Sequence, residues 1–549
     1  MRVSPWAHWS FAVVVATAVT TVACDAHRDD RRTRAPEVAP RVAGLDAEAS
    51  QMLAHVPVDT PYVWLNAEPL PDAYVERLAG LRDATLSGWA RALDERTDDP
   101  ELAALAAELR GRMNPAGLRA LGFATNPRWV LYGLGLAPVL RLELDDGHRV
   151  ARLLETIDAA DGTSEVRTIA GHPVWTTSDR SHGFAGAVAI VDDALVVTIY
   201  PRAVEAELLP IALGVAPTRR SFARSDALRV ARRAHRLLPH GLAMLDLARI
   251  VELVAGEGDA LERAVTRAWG IDVPQSTCTP ALRQWIARAP RLWAGLREID
   301  TRAIVATTIW ELDDGLRDDL RGIVAPVPGQ RRGDRDLGLA SLGVGVDVGA
   351  AVAMLERWRD DDRLAACEDL ARGLPDDPPP TWVTDLRGAS AVLHDWDAAR
   401  GRPSGVVVLG MDDPLAWLRT TTPSAALGPL RRRGHAAPLA EVAGNAGGSW
   451  LGEAWVARGR RALGLAAGDG ARRSVARAVD DSSRDGDTLV TWSLDLAGLR
   501  ALVPERRTRD DLEWVQAWAV LDAARRVRGT LEIGASGLEL ETIVDLDRR

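Results

Sequence analysis

Leu245-Asp246-Leu247-Ala248 recurs in the second half of the chain as Leu494-Asp495-Leu496-Ala497. Each copy follows an apolar strand-like run and opens a helix-like run ending in Leu-Val. Working outward, further pairs keep the same order. Pro61–Leu65 and the helical run from Asp72 match residues 337–344 and the run from Ala350 to Trp358. Residues 138–146, ending in Asp145-Asp146, match 405–413, ending in Asp412-Asp413. Residues 189–197 match 454–463, and 308–313 match 542–547. Each match is short, but chance matches would not stay collinear, and self-similarity of this kind marks a repeat. Strands arrive as hairpins rather than βαβ crossovers, with amphipathic helices between them. The expected fold is α+β: two degenerate repeats of antiparallel hairpin strands, with helices packed on one face.

The expected organisation is a signal peptide over 1–23, a lipidated Cys24 with a flexible tether over 24–45, a first repeat over 46–325, a linker over 326–336 and a second repeat over 337–549. Pro326-Val327-Pro328-Gly329 and the residues after it carry turn chemistry, which places the linker there. At the N-terminus, Arg2 precedes a short apolar run over residues 9–23 that ends in small residues. That run has the layout of a secretory signal and is short for a membrane span. Thr21-Val22-Ala23-Cys24 resembles a bacterial lipobox, which implies lipidation of Cys24 and stable attachment through more than one acyl chain. The expected location is therefore the cell envelope, anchored by lipid to the periplasmic or outer face of a membrane. With Cys24 modified, Cys278 and Cys367 are the remaining thiols, and in an oxidising compartment they are expected to pair.

Composition narrows the chemistry. All 67 basic residues are arginine. Without lysine there is no Schiff base, no P-loop and no Ser-x-x-Lys centre, since guanidinium stays charged. The abundance of Ala, Arg, Gly and Trp follows GC-rich codons, so the missing lysine is read as genomic bias. A net charge of −10 gives no reason to expect a nucleic-acid partner. The hydrophobic share of 47% is that of a globular chain, not a disordered one.

The layout as a whole resembles a family of uncharacterised bacterial secreted proteins, a domain of unknown function. The resemblance spans roughly residues 50–549 and is carried by Val56-Pro57-Val58-Asp59-Thr60, Cys278, Ala325-Pro326-Val327-Pro328-Gly329 and Cys367. It implies architecture and no mechanism.

Several residue groups invite a catalytic reading. Asp145-Asp146, Asp412-Asp413, Asp246 and Asp495 stand at strand–helix junctions, where a carboxylate accepts from free helix N–H groups. Because the positions are duplicated, we expect caps rather than an acid/base pair. Asp192-Asp193 reads as a hairpin turn. Gly464–Gly470 and Gly343–Gly349 look like phosphate-cradling loops, but the matching first-half junctions lack glycine, so no nucleotide is expected. The histidine pairs His235/His240 and His172/His182 lack metal-site spacing, and neither metal nor cofactor is expected. There are 19 tryptophans against four Phe and four Tyr. Trp293, Trp310, Trp382, Trp396, Trp417, Trp450, Trp455, Trp492, Trp514 and Trp518 are expected mainly in the core. A partly exposed cluster would instead bind a glycan or another protein. The resulting expectation is a non-enzymatic, lipid-anchored envelope protein with a binding or scaffolding role. Its alternatives are a carrier or chaperone holding an apolar ligand against the sheets, and an envelope hydrolase without a recognisable motif.

Overall fold

A computed structural model describes residues 51–77, 79–94, 106–161, 164–177, 183–218, 220–270, 278–329, 338–360, 379–397, 401–421, 428, 430–443, 454–480, 487–502 and 524–546. The fold is mixed α+β, with nineteen strands among these residues. Two compact units divide it. Described residues of the first are 51–270 and 290–306; those of the second are 278–289, 307–502 and 524–546.

The first unit holds β1 (Tyr62–Asn66), β2 (Trp129–Leu134), β3 (Ala137–Glu143), β4 (Ser164–Ile169), β5 (His172–Thr177), β6 (Phe184–Val191), β7 (Ala194–Pro201), β8 (Leu242–Asp246) and β9 (Arg291–Ile299). Every pairing is antiparallel, in the order β9-β8-β1-β2-β3-β7-β6-β5-β4. Asp192 and Asp193 close the β6–β7 hairpin with φ of 50° and 57°, the double left-handed geometry of a type I′ turn.

Helices cover both faces of this sheet, not one as expected. Val130 and Tyr132 of β2 join a core with Leu208, Leu209, Leu228 and Val265, which come from helices Glu205–Ala212, Ala227–His235 and Ala260–Ala268. Trp129 and Leu131 face the other way, into a cluster with Val150 and Leu154 of helix Gly147–Asp161. The cause is legible in the strands. Both β2 and β7 are buried at nearly every position, so they are apolar on both sides and need two covers.

The second unit holds β10 (Ala303–Glu311, from Thr307 onward), β11 (Ala340–Asp347), β12 (Leu386–Asp397), β13 (Arg402–Met411), β14 (Ala436–Pro438), β15 (Ala454–Arg458), β16 (Ala462–Ala467), β17 (Thr488–Asp495), β18 (Ala524–Ile533) and β19 (Gly537–Leu546). Their order is β10-β19-β18-β17-β11-β12-β13-β16-β15-β14. One face is built from small residues, which let helix Ala471–Ala478 approach closely: a Cβ on Gly464 would come within 2.7 Å of the Val475 and Val479 side chains. The first residues of the expected linker are packed rather than loose. Val327 is 1% exposed, and the Ala325 N–H donates to the Gly345 carbonyl. Residues 330–336 lie outside the described residues, as do 1–45.

Candidate ligand-binding face

The opposite face of the second unit's sheet is apolar and partly open. Register places Trp492, Leu342, Ala391, Val407 and Leu465 directly across from one another on β17, β11, β12, β13 and β16. Directly opposed residues point to one side of a sheet, so the five form a row of about 19 Å at the usual strand spacing. Leu342 is 50% and Val407 44% exposed. The neighbouring row carries Leu494, Ala340 and Leu393. A bulge at His394 then restores the alternation so that Trp396, 40% exposed and opposite Pro403, falls on the same side. Gly529 stands opposite Trp492, and its missing side chain leaves room for the indole, whose Nε1 would lie 2.6 Å from a Cβ there.

Two clusters limit the opening. Leu463 and Val456 are covered by Leu418 of helix Pro414–Thr421 and by Val442. Val490, Leu531 and Ile533 are covered by Met354 and Ala350 of helix Val348–Arg359. What remains between them is aliphatic and indole surface with no carboxylate, imidazole or guanidinium in its central row. Such a surface can bury apolar matter.

The sequence-singled residues lie elsewhere and do not converge. Asp246 accepts from the Arg249 N–H at 2.9 Å and from Arg291 at 3.0 Å. Asp495 accepts from the Gly498 N–H and faces Arg526; Asp146 accepts from the Arg149 N–H; Asp413 accepts from the N–H groups of Leu415 and Ala416. These are helix caps, each at its own junction. Asp412 takes both Nε and Nη2 of Arg387, which also pairs with Asp347, the cap of helix Val348–Arg359. His240 is buried, with Nδ1 donating to the Glu68 carbonyl at 2.9 Å, and burial lowers its pKa. His235 is also buried, and its carbonyl accepts from Arg297. His172 starts β5, while His182 lies outside the described residues. The glycine loops are explained by close packing: a Cβ at Gly345 would strike the Ala325 carbonyl, and one at Gly468 would lie 2.6 Å from Ser404. Cys278 is the first residue of helix Cys278–Arg288, whereas Cys24 and Cys367 lie outside the described residues.

The tryptophans depart from expectation. Trp293 is buried, but Trp310, Trp382 and Trp396 are each at least 40% exposed. Trp417 packs against Trp382 and donates from Nε1 to its carbonyl, while Arg472 covers Trp455. Trp450, Trp514 and Trp518 lie outside the described residues. Apolar periodicity identifies the face a residue shares, not whether anything covers that face.

One buried site escaped the sequence reading. Arg141 on β3 is 2% exposed, and its Nη1 donates to the Ala212 carbonyl at the end of helix Glu205–Ala212. Tyr132 and His55 lie beside it. Burial pushes the Tyr132 hydroxyl up to about 12; burial, with Arg141 adding, pulls His55 down to about 4. The guanidinium satisfies the Ala212 carbonyl and offsets the negative end of that helix, which is a structural role.

Compared with protein-family models, curated proteins and solved structures, the chain matches none.

Proposed function

We propose that this protein is a non-enzymatic, lipid-anchored component of the bacterial cell envelope, whose working surface is the open apolar face of its second unit. The observation that carries the binding role is the row Trp492–Leu342–Ala391–Val407–Leu465, apolar throughout, in which Leu342 is 50% and Val407 44% exposed. Exposed apolar patches of this kind mark sites of association. The aliphatic character of the row favours a second reading, a carrier for an apolar ligand, over a scaffold built on polar contacts. Anchoring rests on Thr21-Val22-Ala23-Cys24 and the apolar run before it.

We also infer that the two units are degenerate copies of one ancestral half. Supporting this, β9-β8-β1-β2-β3-β7-β6-β5 and β18-β17-β11-β12-β13-β16-β15-β14 have the same chain order at each position. So does a local device: Asp246 stands opposite Arg291, and Asp495 opposite Arg526, where β8 and β17 enter their helices. The pairing of Cys278 with Cys367 stays part of the proposal.

One experiment addresses anchor and surface together. The full chain, Cys24→Ala and Leu342→Asp/Val407→Asp are each expressed in bacteria, fractionated with membranes washed at ~1 M salt so that electrostatic adsorption is screened, and titrated with the neutral dye N-phenyl-1-naphthylamine. Cys24→Ala should move to the soluble fraction with dye binding intact. The double variant should stay with membranes, keep its circular dichroism and bind the dye at least tenfold more weakly. Undiminished dye binding by the double variant contradicts the surface, and membrane retention of Cys24→Ala contradicts the anchor.

A further inference from the structure

A second surface of the same unit carries charge instead of apolar area. Among described residues 428–480 there are nine arginines against three carboxylates, Glu441, Asp469 and Asp480, in a chain whose net charge is −10. Three segments bring six of these arginines together. Arg431, Arg432 and Arg433 lead into Gly434, whose N–H donates to the Arg458 carbonyl at 2.9 Å. Arg460 and Arg461 form the β15–β16 turn, whose Gly459 N–H donates to the Ala462 carbonyl. Gly459 lies so close to the Val479 carbonyl, at the end of helix Ala471–Ala478, that a Cβ there would strike it, and Arg477 sits in the last turn of that helix. Buried Arg458 ties the segments by donating to the carbonyls of Leu430 and Arg431.

All six side chains are exposed, and among the described residues none is in an ion pair. Acids nearby are engaged or outnumbered. Asp412 is held by Arg387 and Asp413 caps its helix; Asp480 lies within 3.5 Å of the Cβ position at Gly434, one carboxylate against six cations among the described residues of these three segments and their ends. Like charges so assembled repel, which destabilises a surface that has no anion to meet. Arginine rather than lysine carries no information here, since the chain has no lysine; the clustering does.

We propose that this patch docks on the headgroup layer of an anionic phospholipid bilayer. A protein partner would need an apolar centre within the patch. Among the described residues 428–480 no large hydrophobic side chain is exposed, and Trp455 lies under Arg472. The same lack of an open aromatic platform disfavours a nucleic-acid strand. A field of guanidinium groups on exposed turns fits a plane of lipid phosphates, each arginine multiplying partitioning about fivefold when held near such a surface. This surface rests on the envelope reading and would hold the second unit down at a point far along the chain from Cys24.

The test is flotation of the full chain with vesicles of phosphatidylcholine alone and of phosphatidylcholine with phosphatidylglycerol. Adsorption to the neutral vesicles reads the N-terminal segment, so a failed anchor and a failed patch are told apart. Phosphatidylglycerol should raise partitioning on the order of a hundredfold. That increment should vanish as salt rises from ~0.01 M to ~1 M and the screening length falls from about 30 Å to about 3 Å. Arg432→Gln/Arg433→Gln/Arg460→Gln/Arg461→Gln should lose the increment, while Arg229→Gln/Arg233→Gln in the first unit keeps it. An increment that survives the fourfold variant, or no increment at all, overturns the proposal. Binding to poly-glutamate through the same arginines, without phosphatidylglycerol dependence, assigns the patch to an acidic protein and overturns it as well.

Discussion

His55 shows how burial sets the acid behaviour of one residue. Burial first, with the nearby Arg141 charge adding, holds its imidazole neutral in the fold, with a pKa of about 4 against the ordinary 6.5. As pH falls from 6.5 towards 4, the unfolded chain takes up a proton that the native state refuses, so stability drops through that window. His55 keeps some solvent contact, which limits the loss to about 1–2 kcal/mol. Urea midpoints of the wild type and His55→Gln at pH 7 and pH 4.5 should show the variant losing less on acidification; parallel losses would contradict the assignment. The sequence did carry a signal, an arginine inside the apolar run Val139-Leu140-Arg141-Leu142. In a chain this rich in arginine, that signal does not stand out, and its helix partner at Ala212 is remote in sequence.

At the scale of the element, the strand–Asp–helix junction is the recurring part. The carboxylate satisfies a helix N–H that the backbone cannot, and a cross-strand arginine balances its charge. Asp246→Ala should cost about 1–2 kcal/mol in urea unfolding, and Asp246→Asn less, because an amide oxygen still caps. Equal losses would mean that the Arg291 pair, not the cap, carries the stability. These junctions were legible because capping chemistry is local: Asp246, Asp495, Asp146 and Asp413 could be placed from sequence alone. Helix placement was not. Hairpin alternation suggested one covered face, whereas β2 and β7 are apolar on both sides and recruit helices to each. The tryptophans failed for a related reason, since Trp396 lies at an apolar position on a face that is only partly covered.

For the whole molecule, the collinear matches around Leu245–Ala248 and Leu494–Ala497 suggested a repeated order of elements without showing which strands pair. Pairing depends on long-range register, which short sequence matches do not encode. The open row in the second unit was illegible for the same reason, because Leu342, Ala391, Val407 and Trp492 become neighbours only once four strands are assembled. The basic patch likewise needs three turns to meet. Two surfaces of opposite character then share one unit: an apolar sheet face proposed for a ligand and an arginine cluster proposed for the bilayer. We propose the apolar face as the working surface. The most direct test is photolabelling of the folded full chain with a small neutral aryl diazirine, followed by peptide mapping. Label should concentrate on Leu342, Trp396 and Val407 and be suppressed by excess N-phenyl-1-naphthylamine; label spread evenly over the chain, or absent from β11–β13, would mean that the apolar face is not where ligand binds.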